Sequence, residues 1–210
     1  MLIWINGPFG GGKTQTAYAL ARRLPGSVVA DPELVGFGLH KMMPRSLRGD
    51  FQDLAAWRHG VVEVLERMLA ADDGHVVVPM TLVEPAYFDE IVGRLRHDGH
   101  AVHHVALLAD RQTVLRRLRE RAVGRLLQRV AAPGWTPPRE TFAVANLDRC
   151  LEGLREPRFA EQLWTDELTV PQVVERVAAG AGLRLERDHD GPVRRRLRQT
   201  WTCARHIRFG

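Results

Sequence analysis

One stretch, LIWINGPFGGGKTQTAYAL over residues 2–20, constrains this chain more than any other. Four apolar residues run through Asn6 straight into a glycine-rich loop, and a helix-forming run follows. The segment from Gly7 to Thr14 fits G-x-x-x-x-G-K-[ST], the Walker A pattern. Consecutive backbone N–H groups can curl round a phosphate only where side chains leave the turn open, and Gly10, Gly11 and Gly12 leave it open. A helix starting near Lys13 points its N-terminus at the same anion. Lys13 can reach the β- and γ-phosphates, and the Thr14 hydroxyl can ligate Mg²⁺. The candidate nucleotide-binding residues are therefore Gly7, Pro8, Phe9, Gly10, Gly11, Gly12, Lys13, Thr14 and Gln15, with ATP and Mg²⁺ as the expected cofactors.

The rest of the chain alternates short apolar runs with helical ones. Strands are expected at 2–5, 27–31, 75–83 and 101–109, with a further short one beginning near 162. Helices are expected at 13–24, 53–71, 84–99 and 111–122, and one more before residue 178. The runs HVVVPM and VALLA are apolar throughout, as strands buried on both faces are. The expected fold is α/β: three layers around a five-stranded parallel sheet, of the nucleoside and nucleotide kinase type. Residues 123–145 lack a clean period and contain Pro133-Gly134 and Pro137-Pro138, so they read as a surface excursion in a lid region of about 117–145. The domain is expected to span 1–190, with a separate tail at 191–210.

Switch GTPases need an N-K-x-D motif, which is absent, and motor-like ATPases usually place an acid at the end of a buried strand. The best buried strand here ends in Pro79-Met80-Thr81. Small-molecule kinases need an acid after the second strand and an arginine-bearing lid, and both are present. Asp31 ends the second strand on the loop's edge of the sheet, where ligands of such sheets sit. It can accept the proton of an acceptor hydroxyl, or help hold Mg²⁺, or cap the helix that begins at DPEL. Arg117, Arg121 and Arg125 share one helix face, suited to the charge of a moving phosphoryl group; the alternative is a solvated basic face. Arg117 and Arg121, with Lys13 and Asp31, form the candidate catalytic set. Asp31, Arg58 and Thr81 are the candidate acceptor-binding residues. Of His103 and His104, mid-strand, one must face inward as a core histidine.

Charge is distributed unevenly. The chain of 210 residues carries a net +5, yet residues 192–210 hold six arginines and no acid, so the remainder sums to −1. The body therefore does not read as a nucleic-acid binder. In the tail, Val193, Leu197, Trp201, Ala204 and Ile207 form one apolar helical stripe. Such a helix either lies in an anionic membrane surface or packs on the sheet with its arginines outward. The two cysteines give neither a disulfide framework nor metal spacing, and no secretory leader or membrane span is evident. A cytoplasmic setting is expected, with peripheral contact at the inner membrane face if the tail binds lipid.

Several strings are more specific than the loop alone. IWINGPFGGGKTQTA, DPELVGF, VVVPMTLVEPAYFDEIVGRLR, VHHVALLA, CLEGL and TDELT together resemble the bacterial tunicamycin resistance proteins over most of residues 2–208. That family has a nucleotide-kinase-like P-loop fold, similar also to chloramphenicol phosphotransferases and shikimate kinases. The resemblance implies ATP binding and resistance to tunicamycin, a lipid-tailed nucleoside antibiotic containing uridine. It gives Gly7, Gly10, Gly12, Lys13 and Thr14 the phosphate and Mg²⁺ roles, and puts Asp31 where related kinases keep their proton-accepting acid. Three functions stay open: phosphorylation of tunicamycin or a related small molecule at a hydroxyl, ATP-dependent sequestration of the drug without chemistry, and a nucleoside or nucleotide kinase with incidental resistance.

Overall fold

The structure is a computed structural model. It describes residues 1–71, 74–129, 144–159 and 161–188, the side chains of 121–129 excepted. The 191–210 tail, most of the 123–145 excursion, and the side chains of Arg121 and Arg125 lie outside the described residues.

Strand β1 (Leu2–Asn6) leads through the glycine loop to helix α1 (Lys13–Ala21). Then come β2 (Val28–Val29), α2 (Glu33–Met42), α3 (Ala55–Ala70) and β3 (Val76–Pro79). Helix α4 (Pro85–Phe88) passes through a π turn at Asp89–Gly93 into α5 (Arg94–His97). The chain continues as β4 (Val102–Leu108), α6 (Arg111–Arg129), α7 (Leu147–Gly153), β5 (Gln162–Trp164) and α8 (Val170–Gly180).

The five strands form one sheet in the order β2-β3-β1-β4-β5, with every pairing parallel. Alternation along the strands divides the core. Leu2, Trp4, Val76, Val78, Ala106 and Leu108 face Trp57, Val61 and Leu65 of α3 and Phe88, Ile91 and Leu95 of the α4–α5 segment. Ile3, Ile5, Val77, Val105 and Leu107 face Ala17 and Leu20 of α1 and Val173, Val174 and Val177 of α8. This is the expected three-layer arrangement. β1 is the middle strand, so the glycine loop leaves the centre of the sheet at its C-terminal edge. A smaller cluster roofs that edge: Val114 and Leu118 of α6, Leu147 and Leu151 of α7, and Phe9 of the loop.

Several boundaries differ from the sequence reading: β3, expected over 75–83, ends at Pro79, and the helix expected over 84–99 is interrupted by the π turn. β2 is only two residues long, with Val28 exposed at the sheet edge. The helix expected to stop at 122 continues to Arg129, because no proline intervenes before Pro133 and its residues favour helix. Helix α2 begins at Glu33, after Asp31 and Pro32, as the DPEL capping alternative implies, and α7 carries the string CLEG, where no helix is expected from periodicity. The last helix starts at a capping box, in which the Thr169 N–H and hydroxyl donate to Gln172 Oε1 at 2.9 and 2.8 Å.

Candidate active site

The glycine loop is built as the sequence demands. Gly10 and Gly12 hold φ of 79° and 88°, a left-handed conformation that side chains disfavour. At Gly12 a Cβ would meet nothing within 4 Å, so the lip of the loop is open. At Gly10 a Cβ would lie 3.0 Å from the Leu118 side chain, so α6 packs directly on the loop. Lys13 is buried, with its Nζ donating to the Pro8 carbonyl at 2.9 Å and lying 5.5 Å from the Phe9 ring centroid. The ammonium therefore bends back across the loop. The Gly11 N–H also donates to the Pro8 carbonyl, at 2.9 Å, and tightens the turn. Thr14 and Gln15 sit half-buried in the first turn of α1.

Asn6 closes the floor of the loop and is fully buried. Its Oδ1 accepts the Gly7 and Leu82 N–H groups, both at 2.9 Å. Its Nδ2 donates to the Leu82 carbonyl at 2.7 Å and lies 3.4 Å from His104 Nε2. His104 is the inward-facing histidine, and burial first, then the charge of Arg96, pushes its pKa down to about 3. It is thus a neutral acceptor at neutral pH. His103 faces the other layer, with Nε2 3.5 Å from Glu161 Oε1. Thr81, buried just after β3, donates its hydroxyl to the Gly7 carbonyl at 2.8 Å.

The second half of the site lies around Asp31. Asp31 Oδ1 accepts the Glu33 N–H at 3.1 Å, which starts α2. Trp57 Nε1 donates to the Pro32 carbonyl at 2.9 Å and ties this turn to α3. Phe51 packs against Phe37, His40 and Trp57, with centroid separations of 6.1, 5.6 and 5.4 Å. Gly36 is required there, since a Cβ would fall within 2.4 Å of the Phe51 ring. Arg58 donates to Glu90 Oε2 at 2.5 Å and to the Gln52 carbonyl at 2.6 Å, and lies over the Tyr87 ring. Gln52 Nε2 in turn donates to the Thr81 carbonyl at 3.0 Å.

Arg117 reaches the end of β5, donating to the Thr165 carbonyl at 2.6 Å and its hydroxyl at 3.1 Å. Burial lowers its guanidinium pKa, against the opposing pull of Asp166. Thr165 itself donates to the Leu108 carbonyl, joining β5 to β4. Cys150 of α7 is buried; burial raises its thiol pKa, and the Lys13 charge pulls the other way.

Of the residues the sequence singles out, the structure bonds Asp31 to the Glu33 N–H, Arg58 to Glu90, Thr81 to the Gly7 carbonyl and Arg117 to Thr165. Sequence reasoning missed Asn6, Gln52, Trp57 and Thr165, which hold those residues in place. Asn6 carries one usable signal: a lone polar residue ending an apolar strand immediately before the loop.

The donor set fits a nucleotide phosphate with Mg²⁺. The open glycine lip leaves space at the helix N-terminus, and the Thr14 hydroxyl is a hard oxygen ligand of the kind Mg²⁺ takes. Among the described residues no group of three or more His, Cys, Asp or Glu could hold a metal by itself. No described helix is long and apolar enough to cross a membrane.

A five-stranded parallel sheet with this loop at the end of its middle strand defines a P-loop, kinase-like nucleotide-binding protein. An AAA domain model matches residues 2–131. The tunicamycin resistance protein of Deinococcus radiodurans superposes with a TM-score of 0.69 at 32% identity, over 89% of this chain and 99% of that one. The chain belongs to the tunicamycin resistance protein family. Shikimate kinase from Bacteroides thetaiotaomicron (TM-score 0.56, 18% identity, 87% of this chain and 99% of that one) shares the fold. So does the APS kinase of Mycobacterium tuberculosis in complex with AMPPNP and APS (TM-score 0.52, 16% identity, 86% and 96%). No curated protein sequence matches the chain.

Proposed function

We propose that this protein transfers the γ-phosphoryl group of ATP to a hydroxyl of tunicamycin or a closely related nucleoside. The observation that carries this reading is the placement of the glycine loop and Asp31 on one edge of the sheet, in a chain so similar to a tunicamycin resistance protein. In that reading the loop N–H groups and the α1 N-terminus bind the phosphates. Lys13 swings from the Pro8 carbonyl to the β- and γ-phosphates. Thr14 would hold Mg²⁺, which would supply positive charge to the phosphate oxygens. The Asp31 carboxylate, oriented by its bond from the Glu33 N–H, takes the proton of the acceptor hydroxyl. Arg117, bonded to Thr165 in the nucleotide-free protein, would turn its charge to the phosphoryl group, and Arg121 is its partner by sequence position alone. Arg58 and the Phe37–Phe51 wall border the acceptor.

A specific observation favours a second reading, sequestration without chemistry: Asp31 Oδ1 is already engaged by the Glu33 N–H, and β3 ends in Pro79-Met80-Thr81 with no acid. Incubating the protein with Mg-ATP and tunicamycin, followed by mass spectrometry of the drug, separates the two. A phosphate-sized mass gain is expected; tight binding of unchanged drug without ATP turnover overturns the kinase reading. Turnover preferring simple nucleosides shifts the assignment to a nucleoside kinase.

A further inference from the structure

The first residue of the glycine loop is gripped from both sides, and each grip comes from a different strand end. The Gly7 N–H donates to Asn6 Oδ1 at the end of β1, and the Gly7 carbonyl accepts from the Thr81 hydroxyl beyond β3. A third strand bounds it sterically: at φ 150°, a Cβ on Gly7 would lie 2.8 Å from the Leu107 carbonyl of β4. Asn6 is itself committed at four points, two accepted and two donated, the full capacity of an amide. Two of these pair with the backbone of Leu82, next to Thr81, so Asn6 continues the β1–β3 contact past the end of its ladder. Thr81 is also fastened from behind, where its carbonyl takes Gln52 Nε2.

We propose that Asn6 and Thr81 are positioning residues for nucleotide binding: by fixing both polar groups of Gly7, they hold the loop in its phosphate-binding shape before the nucleotide arrives. The proposal rests on the reading that this loop holds ATP. A preorganised loop binds without first paying the ordering cost of its backbone, so loosening Gly7 weakens binding even in a folded protein. A merely structural bond lowers the melting temperature and leaves the affinity of the folded fraction unchanged.

The test compares Thr81→Val, which removes the donor at constant shape, with Thr81→Ser, which keeps it. Mg-ATP affinity is read by calorimetry on protein shown to be folded by circular dichroism. Thr81→Val is expected to raise Kd about tenfold, and Thr81→Ser to stay near wild type. Folded Thr81→Val with a wild-type Kd overturns the proposal while leaving ATP binding intact. A wild-type chain that does not bind Mg-ATP sinks the underlying reading instead, and the proposal with it. Should Thr81→Val not fold, amide exchange in the wild type decides. The Gly7 N–H of nucleotide-free protein is expected to exchange as slowly as the β1 amides, and fast exchange there contradicts a preset loop.

Discussion

The nucleotide loop and the proposed acceptor side occupy the same edge of the sheet but are held by different means. The nucleotide side is mostly backbone, with Gly7, Gly11 and Lys13 bonded to atoms of residues 6–8 and an outside clamp, the Thr81 hydroxyl on the Gly7 carbonyl. The acceptor side is assembled from α2, α3, the residues after β3 and the π turn, through long-range bonds such as Trp57 to Pro32 and Arg58 to Glu90. It also has a looser margin: Leu34, Met42 and Leu47 are exposed large apolar residues in this part of the chain. Phosphates present the same geometry in every nucleotide, so a rigid local cradle suits them. An acceptor pocket is set by side chains that can change without disturbing that cradle.

If the two sides are separable, their substitutions separate too. The largest effect is expected at Lys13. Lys13→Met removes a charged donor and should weaken Mg-ATP binding about a hundredfold by calorimetry, with the fold retained. Near-wild-type affinity would remove the lysine from the phosphate site. Within the loop, Gly7→Ala should cost about 2–3 kcal/mol in urea unfolding, since its methyl meets the Leu107 carbonyl. Gly12→Ala, strained in φ but unobstructed, should cost about 1 kcal/mol. Equal costs would mean that packing against β4 does not shape the loop.

His104 gives a pH signature next in size. Its folded pKa lies below the ordinary value, so on acidification the unfolded chain takes the proton first. Its contribution is complete above pH 6.5 and is lost downward toward pH 3. Between pH 7 and pH 5 the loss should be about 2 kcal/mol, and His104→Gln should flatten that slope by a similar amount. An unchanged slope would place the titrating group elsewhere. The smallest effect is expected on the acceptor side. Trp57→Phe loses the bond to the Pro32 carbonyl and should lower stability by about 1 kcal/mol while leaving Mg-ATP affinity untouched. A shift in that affinity would show that the two sides are coupled after all.

The same contrast explains what could be read from the chain. The loop was legible because its function is written in consecutive residues: glycines where φ is positive, a lysine and a threonine where the helix begins. The sheet was legible because the runs LIWI, VVVP and VALL within β1, β3 and β4 are apolar on both faces. Asp31 stands out in the sequence by its place after the second strand, although β2 itself stops at Val29 and the bond from the Glu33 N–H is visible only in the structure. Gln52, Trp57 and Glu90 were not legible, since their roles arise from contacts across tens of residues that no local pattern encodes. From the sequence Arg58 reads equally as a surface arginine or as an acceptor contact; its partners Gln52, Tyr87 and Glu90 come from three separate segments. The extent of α6 was misjudged for a different reason, because helix propensity continued after the apolar period had faded.

The separation of the two sides, and the chemistry proposed across them, meet in Asp31. The decisive measurement pairs wild type with Asp31→Asn, following the mass of tunicamycin after incubation with Mg-ATP and the affinity of each protein for Mg-ATP. The account predicts a phosphate-sized mass gain with wild type, none with Asp31→Asn, and equal nucleotide affinity in both. Full transfer by Asp31→Asn would reduce Asp31 to a helix cap and contradict the account.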